Sequence, residues 1–207
     1  MQRMGKRLRG AYALPLYRVG PAISLAAAFL LGGVLGCLFA RGMPAEEVAG
    51  LSDYLEGYLR LAETGEVPRA LPQLLWSRLW PLGAALVLGC SGLGLAGLPL
   101  LCGGCGFFYA FSSACFCLLF GWRGLFPAFA LFGLPALLWV PALLLTGCAG
   151  VRQSAGLLRL CRGGPMPEPV PLRPRLALSV PLLLGSALVE YSAAPPLLRA
   201  SAAVLLA

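Results

Sequence analysis

A serine between glycines is the first candidate for chemistry in this sequence. Gly89-Cys90-Ser91-Gly92 has the Gly-x-Ser-Gly form that some intramembrane proteases use for their nucleophile. Such a serine needs a histidine base to take its proton, and the 207 residues include no histidine. Small residues in an apolar segment are more typical of close helix packing. We therefore predict no catalytic role for Ser91.

Two of the eight cysteines have the spacing of a thiol-exchange pair. Cys102 and Cys105 are separated by two glycines. A reactive thiol needs a lowered pKa, which a nearby cation or a helix N-terminus supplies. The nearest Lys or Arg in sequence is Arg123, eighteen positions after Cys105, so a turn of small residues is the favoured interpretation. Without histidine, and with scattered acids, no zinc or iron site is indicated, and we predict no cofactor.

The composition excludes an ordinary soluble domain. Hydrophobic residues make up 59% of the chain and charged residues only 12%, with a mean hydropathy of +0.83. Soluble domains are about one quarter charged, so this chain has too little polar material to cover a globule. The net charge of +8 does not indicate nucleic-acid binding, because the basic residues lie at the ends of apolar runs. The composition indicates a membrane protein.

The apolar runs predict five membrane-spanning helices. Residues 21–40 hold twenty positions without a charge, enough to cross a hydrocarbon core of about 30 Å at 1.5 Å per residue. Residues 79–122 hold 44 uncharged positions, enough for two crossings, with a break predicted at 99–106. The predicted fold is an all-α polytopic bundle, a single membrane domain over 19–207. Its predicted spans are about 21–40, 79–100, 104–120, 125–149 and 176–195.

The start of the chain also has some features of a processing signal. Residues 1–18 carry five positive charges and no acid, and an apolar run follows. That run is long for a signal peptide, and no small-residue cleavage pattern closes it. The stretch from Val34 to Cys37 resembles a lipoprotein cleavage box only loosely. We favour a basic cytoplasmic N-terminus followed by an uncleaved first span.

The fifth apolar run is the weakest because it contains an acid. Fourteen uncharged residues, from Leu176 to Val189, precede Glu190. A charge at the centre of a spanning helix costs about 2.5–3.5 kcal/mol on the insertion scale. Glu190 lies toward one end of the run, so we predict that it approaches an interface.

Glycines indicate where helices turn or approach each other. Gly121 and Gly124 flank Arg123 and predict a tight turn between the third and fourth spans, with Arg123 reaching the headgroups. In the first two spans, glycines allow close helix packing. The predicted packing positions are Gly32, Gly33, Gly36, Gly89 and Gly97. Packing inside one bundle and association with another membrane protein both explain them.

The charges predict the orientation of the chain. Residues 1–18 and 152–175 contain ten basic residues, and such segments face the cytoplasm. The N-terminus is therefore predicted inside and the C-terminus outside. Residues 41–78, which hold six of the eight acids, form the predicted outer loop. Residues 150–175 form the predicted cytoplasmic basic loop.

The outer loop is predicted to contain an amphipathic helix over residues 44–64. Apolar side chains recur there at three- and four-residue steps, Pro44 suits a first turn, and Gly65 supplies a stop. Such a stripe either docks a partner or lies on the membrane surface and caps the bundle. The predicted docking residues are Val48, Leu51, Tyr54, Leu55 and Tyr58.

The order of these landmarks resembles the stage II sporulation protein M family over nearly the whole chain. After the basic start come the first-span sequence Phe29–Gly36, the loop sequence LSDYLEGYL at 51–59, and the second-span stretch from Leu88 to Pro99. The Gly121/Gly124 turn, a proline-containing fourth span, a basic loop and a fifth span follow. Each motif is weak alone, and their joint order carries the resemblance. Ala136 and Leu137 depart from it, since relatives tend to carry polar amides near that place.

This resemblance implies a non-enzymatic membrane scaffold of the sporulation engulfment machinery. Members anchor the sporulation proteins D and P, which remodel septal peptidoglycan, so the implied location is the mother-cell side of the sporulation septum. No small-molecule substrate and no nucleic acid are expected. Two other classes compete with the scaffold: a small transporter or permease-like subunit, and a membrane thiol oxidoreductase using Cys102 and Cys105.

Overall fold

The computed structural model describes residues 2–64, 71–164 and 172–205, and within these ranges all regular structure is helical. The predicted all-α class is confirmed. A 3₁₀ turn at Gly121–Gly124 and a π-helical turn at Phe129–Gly133 join the α-helices of the second half. The α-helices are α1 (Gln2–Arg41), α2 (Ala45–Thr64), α3 (Leu71–Gly89), α4 (Gly94–Phe120), α5 (Leu125–Ala128), α6 (Leu134–Cys161), α7 (Leu172–Ser192) and α8 (Ala194–Leu205).

Three stretches of the described chain are long and apolar enough to cross a membrane. They are Val19–Arg41, Gly94–Cys161 and Leu176–Ala200. The second is 68 residues long, more than three times what one crossing needs, and it contains both α4 and α6. Helix α3 is not among the three, although it packs beside them.

The long helices alternate in direction along the chain. Gly32 and Gly36 of α1 face Gly103 and Phe107 of α4, so α1 and α4 run parallel. Tyr109 of α4 stacks on Trp139 of α6, while Leu98 lies beside Gly150 further along α6, so α4 and α6 run antiparallel.

The remaining two long helices follow the same alternation. The Thr146 hydroxyl of α6 donates to that of Ser179 on α7, and the Ser186 hydroxyl donates to the carbonyl of the earlier Pro135, so α6 and α7 are antiparallel. Helix α3 runs parallel to α6, because Arg78 lies beside Trp139 and the later Gly89 lies beside the later Gly150. Thus α1, α4 and α7 point one way, and α3 and α6 point the other.

Helix α6 lies at the centre of the bundle and contacts α1, α3, α4 and α7. The main cluster of buried side chains surrounds it. Among lipid chains these side chains gain little from leaving water, so close packing and hydrogen bonds hold the helices together. The buried residues of this cluster are Leu25, Ala85, Leu98, Cys102, Trp139, Leu143 and Val151.

The break between the second and third long helices lies at residues 90–93, not at the predicted 99–106. The glycines that predicted the later break serve a different purpose: Gly103 and Gly106 lie in the middle of α4 and let α1 approach its backbone. Pro99 is tolerated within α4, as prolines are in membrane helices whose neighbours compensate for the lost bond. The predicted spans 79–100 and 104–120 therefore become α3 up to Gly89 and α4 from Gly94.

Helix α6 also extends beyond its predicted end. It continues to Cys161, through the first half of the predicted basic loop 150–175. The reason is packing, because Val151 and Ser154 continue the buried face of the helix. Two residues after this end, Gly163 has a φ of +77°, the left-handed conformation common after helix C-termini. At the other end of the chain, the predicted span 176–195 contains the boundary between α7 and α8.

Candidate functional site

Helix α2, close to the predicted 44–64, forms a lid on one end of the bundle together with α8. The two helices pack against each other, and α8 also contacts α5 and the π turn. Leu59 is fully buried and Leu55 is 7% exposed. Leu55 packs in a second cluster, called the lid cluster, with residues from α4, α5, the π turn and α8: Phe116, Ala128, Leu131 and Leu198. The end of the bundle that carries α2 and α8 is called the lid end below.

Most of the predicted docking face is turned into the protein. Leu51, Leu55 and Tyr58 pack in the lid cluster, Val48 is half-buried, and Tyr54 is 69% exposed. The sequence period located the apolar stripe but could not show what covers it. Much of the cover comes from α8, almost 150 residues later in the chain.

The opposite side of α2 is a mixed acidic and aromatic surface, which we call the α2 outer face. Gly50 and Gly57 on this side have open space around them. Tyr54 and Leu61 are its large apolar side chains, at 69% and 45% exposure. Its exposed members are Glu46, Glu47, Gly50, Asp53, Tyr54, Gly57, Arg60 and Leu61.

A charged cluster lies inside the bundle where α3, α4, α6 and α7 meet. Arg78 of α3 is 9% exposed, and its Nε donates to Glu190 Oε2 of α7 at 3.1 Å. A second guanidinium nitrogen, Nη2, donates to the same oxygen. The Arg78 side chain therefore points at an acid 112 positions later in the sequence.

Two aromatic rings complete the surroundings of Arg78. Its guanidinium carbon lies 5.6 Å from the ring centre of Tyr109 and 5.9 Å from that of Trp139. These rings stack at 5.3 Å, and Trp139 Nε1 donates to the Arg78 carbonyl at 3.3 Å. Cation–π attraction strengthens when the cation is shielded from water. Arg78, Tyr109, Trp139 and Glu190 are called the Arg78 cluster below.

The sequence signalled both charges but not their pairing. Arg78 lies between Trp76 and Trp80, a pattern typical of a membrane interface, and Glu190 was predicted to approach one. Glu190 lies two residues before the end of α7, and its side chain is 14% exposed. These two charges have opposite signs and lie near helix ends that are predicted on the same side of the membrane. That combination was the sequence signal that could have predicted their ion pair.

Cys102 and Cys105 do not form the predicted turn. They lie three residues apart within α4, and Cys102 is fully buried in the central cluster. All eight cysteines are free thiols. Within the described ranges, no three His, Cys, Asp or Glu side chains are grouped so that they could hold a metal ion.

Three of the five predicted packing glycines lie on the α1–α4 contact. A Cβ at Gly32 would overlap the Gly103 carbonyl, one at Gly36 would overlap the Phe107 carbonyl, and one at Gly33 would touch Ala110 at 3.5 Å. These three glycines thus join α1 to α4 within the same chain.

The other two packing glycines lie at the far end of the bundle. A Cβ at Gly89 would come within 2.7 Å of the Gly150 Cα, and one at Gly97 would meet only the Leu88 side chain at 3.0 Å. Nearby, the Ser154 hydroxyl of α6 donates to the carbonyl of Ser91 at 2.6 Å. It also lies 3.3 Å from the carbonyls of the last α3 residues. Sequence reasoning missed this cap.

The predicted turn residues form the 3₁₀ turn after α4. Gly121 has a φ of +59°, which glycine adopts at no steric cost. Gly124 is buried, and a Cβ there would overlap the Phe116 carbonyl. Arg123 is exposed beside Trp122, which is 84% exposed.

An apolar groove of about 540 Å³ lies between α1, α4 and the π turn. It is lined by small residues at Gly33, Gly106 and Ala110 and by larger apolar side chains such as Phe29 and Val34. Its walls are those expected of a surface that meets lipid chains.

No protein-family model, curated protein or solved structure matches this chain. The geometry itself defines a helical membrane protein with a two-helix lid on one end and a buried charged cluster beneath that end.

Proposed function

We propose that this protein is a non-enzymatic membrane scaffold whose lid end presents the α2 outer face to an extracytoplasmic partner. The observation that carries the proposal is the two-sided character of α2. One side, with Leu55 and Leu59, is buried on the bundle, and the other exposes Tyr54 and Leu61 among acids. A helix anchored in this way offers a rigid aromatic contact, and tyrosine is enriched where proteins bind each other.

The proposed topology has five crossings, formed by α1, α3, α4, α6 and α7, with the N-terminus in the cytoplasm. The alternating directions of these helices support it, because each crossing must reverse the one before. The positive-inside distribution supports the orientation. The lid end then lies outside the cytoplasm, at the cell membrane.

The resemblance to the stage II sporulation protein M family suggests the partners. The proposed role is to anchor the sporulation proteins D and P at the septal membrane during engulfment. The acids Glu46, Glu47 and Asp53 would favour a basic patch on the partner, since complementary charges speed encounter.

Replacing Tyr54 and Leu61 together by alanine tests the docking proposal. We expect co-purification with the sporulation proteins D and P to fall at least about tenfold, because hot-spot side chains contribute about 2 kcal/mol or more. The amount of protein in the membrane fraction is expected to stay unchanged, because both side chains are exposed.

The matched control is Trp122→Ala, an exposed aromatic residue on the 3₁₀ turn rather than on α2. Unchanged co-purification of the Tyr54/Leu61 variant, or an equal loss in the Trp122 variant, would contradict the proposal. Leu55 and Tyr58 are unsuitable test positions because their substitution would also disturb the lid cluster.

A transporter subunit is the second candidate, and the Arg78 cluster favours it. Ionisable residues inside membrane bundles often mark the path of a substrate or a proton. Scaffolding requires no such path. A variant with leucine at both Arg78 and Glu190 that still binds its partners would favour the scaffold.

A further inference from the structure

The short apolar part of α3 raises a physical problem. Only eleven residues, Leu79 to Gly89, follow Arg78 before the helix ends. At 1.5 Å per residue they span about 16 Å, roughly half of a 30 Å hydrocarbon core. Unlike the neighbouring long helices, α3 lies in none of the stretches apolar enough to cross a membrane alone.

Arg78 therefore lies within the length of α3 that a crossing needs. It is not at an end of the helix, and its 9% exposure leaves it little access to water or headgroups. An uncompensated charge at such a place makes a helix costly to insert. The cost must be offset by other parts of the chain.

The Arg78 cluster supplies that compensation from three other helices. Glu190 of α7 neutralises the charge and accepts two guanidinium hydrogen bonds, while Tyr109 and Trp139 place ring faces beside the cation. Of these groups, only the α7 carboxylate carries the opposite charge. It is also the last of the four groups to be synthesised.

We propose that the crossing of the membrane by α3 depends on α7, and that Glu190 retains Arg78 in the bundle. Without that carboxylate, α3 stays at the membrane surface on the lid side, and the turn at residues 90–93 does not reach the opposite face. The proposal rests on the five-crossing topology described above, and its experiment tests the two separately.

The experiment places a protease site in the full-length chain, after Gly42 in one set and after Gly92 in another. Gly42 lies in the connection between α1 and α2 and Gly92 in the connection between α3 and α4, so an insertion there interrupts no helix. Protease is added to intact spheroplasts and to permeabilised ones. In the wild type, the site after Gly42 is expected to be cut from outside and the site after Gly92 only after permeabilisation.

In the Glu190→Leu variant, we expect cleavage after Gly92 from outside to rise at least about tenfold, because the unpaired Arg78 disfavours insertion. Adding Arg78→Leu to the same chain should restore the wild-type pattern, since apolar pairs can replace buried ion pairs. Glu47→Leu, an exposed acid on α2, is the matched control and should leave the pattern unchanged.

Two outcomes would overturn the proposal. Wild-type cleavage in Glu190→Leu would show that α3 inserts without the carboxylate that α7 supplies. An Arg78→Leu/Glu190→Leu chain as exposed as Glu190→Leu would show that shape rather than charge is required. A wild-type chain cut from the same side at both sites would instead reject the five-crossing topology.

Discussion

At Gly32 the α1 backbone lies directly against the carbonyl of Gly103, and at Gly36 it lies against that of Phe107. Helices in lipid gain no hydrophobic energy from meeting each other, so close backbone packing is a main source of their association. A single methyl group at either position would force the helices apart. The close contact therefore requires residues without a Cβ atom at both positions.

Gly32→Ala is predicted to destabilise the protein by about 1–3 kcal/mol, the usual cost of overpacking. Thermal unfolding in detergent micelles measures the effect. Gly104→Ala is the matched control, since Gly104 lies on α4 with open space around its Cα. Equal unfolding temperatures for the two variants would contradict the packing role of Gly32.

Residue types alone were a good guide to some positions and not to others. The glycines of α1 are small because α4 approaches them, and their spacing revealed this. Gly103 and Gly106 lie in a glycine-rich stretch of the kind that is typical of a turn. Only the position of α1 against them shows that they allow helix packing instead. For the same reason, the glycines between Cys102 and Cys105 predicted a turn where the structure has the interior of α4.

Among the elements, α2 is held by a few large apolar contacts. Leu59 is completely buried and Leu55 nearly so, whereas Leu61 on the other side is 45% exposed. Helix α2 also joins α1 through only a short connection at residues 42–44. We infer that the lid cluster fixes its position.

Leu59→Ala is predicted to loosen the lid, because truncating a buried leucine costs about 2–5 kcal/mol. We expect faster limited proteolysis within α2, with the bundle helices still protected. Leu61→Ala removes the same atoms from the exposed side and should leave the rate unchanged. Similar rates in both variants would indicate that α2 is not held by its buried side.

Some element boundaries could not be found from hydropathy. An uncharged run shows that there are enough apolar residues to cross the membrane, but it does not show at which residue a helix ends. The break at residues 90–93 depends on Ser154, which bonds the carbonyl of Ser91 from another helix. Such a cap depends on tertiary packing, which no local pattern encodes.

At the scale of the whole molecule, the sequence predicted the all-helical membrane class because composition leaves no other solvent for the apolar side chains. Composition does not give the direction of each helix, which follows from contacts between helices such as that of Thr146 with Ser179. The lid and the Arg78 cluster both join residues far apart in sequence. Neither could be derived without the fold.

The predicted sidedness can be measured with reporter fusions after Gly65 and after Gly164. The positive-inside rule predicts an extracytoplasmic signal from the first fusion and a cytoplasmic signal from the second. Fusions to the end of α1, after Arg41, should agree with the first. A cytoplasmic signal after Gly65 would reverse the orientation and place the lid inside the cell.

The π turn at Phe129–Gly133 affects the direction in which the side chains of α6 point. Pro135 has no N–H to give to Leu131, and the chain turns more widely just before it, with the Leu134 N–H bonding the Phe129 carbonyl. One extra residue in a turn rotates everything after it by about 100°. That rotation sets the angle at which the Trp139 indole faces the other helices, so a one-residue deletion here would change the partner of every side chain further along α6.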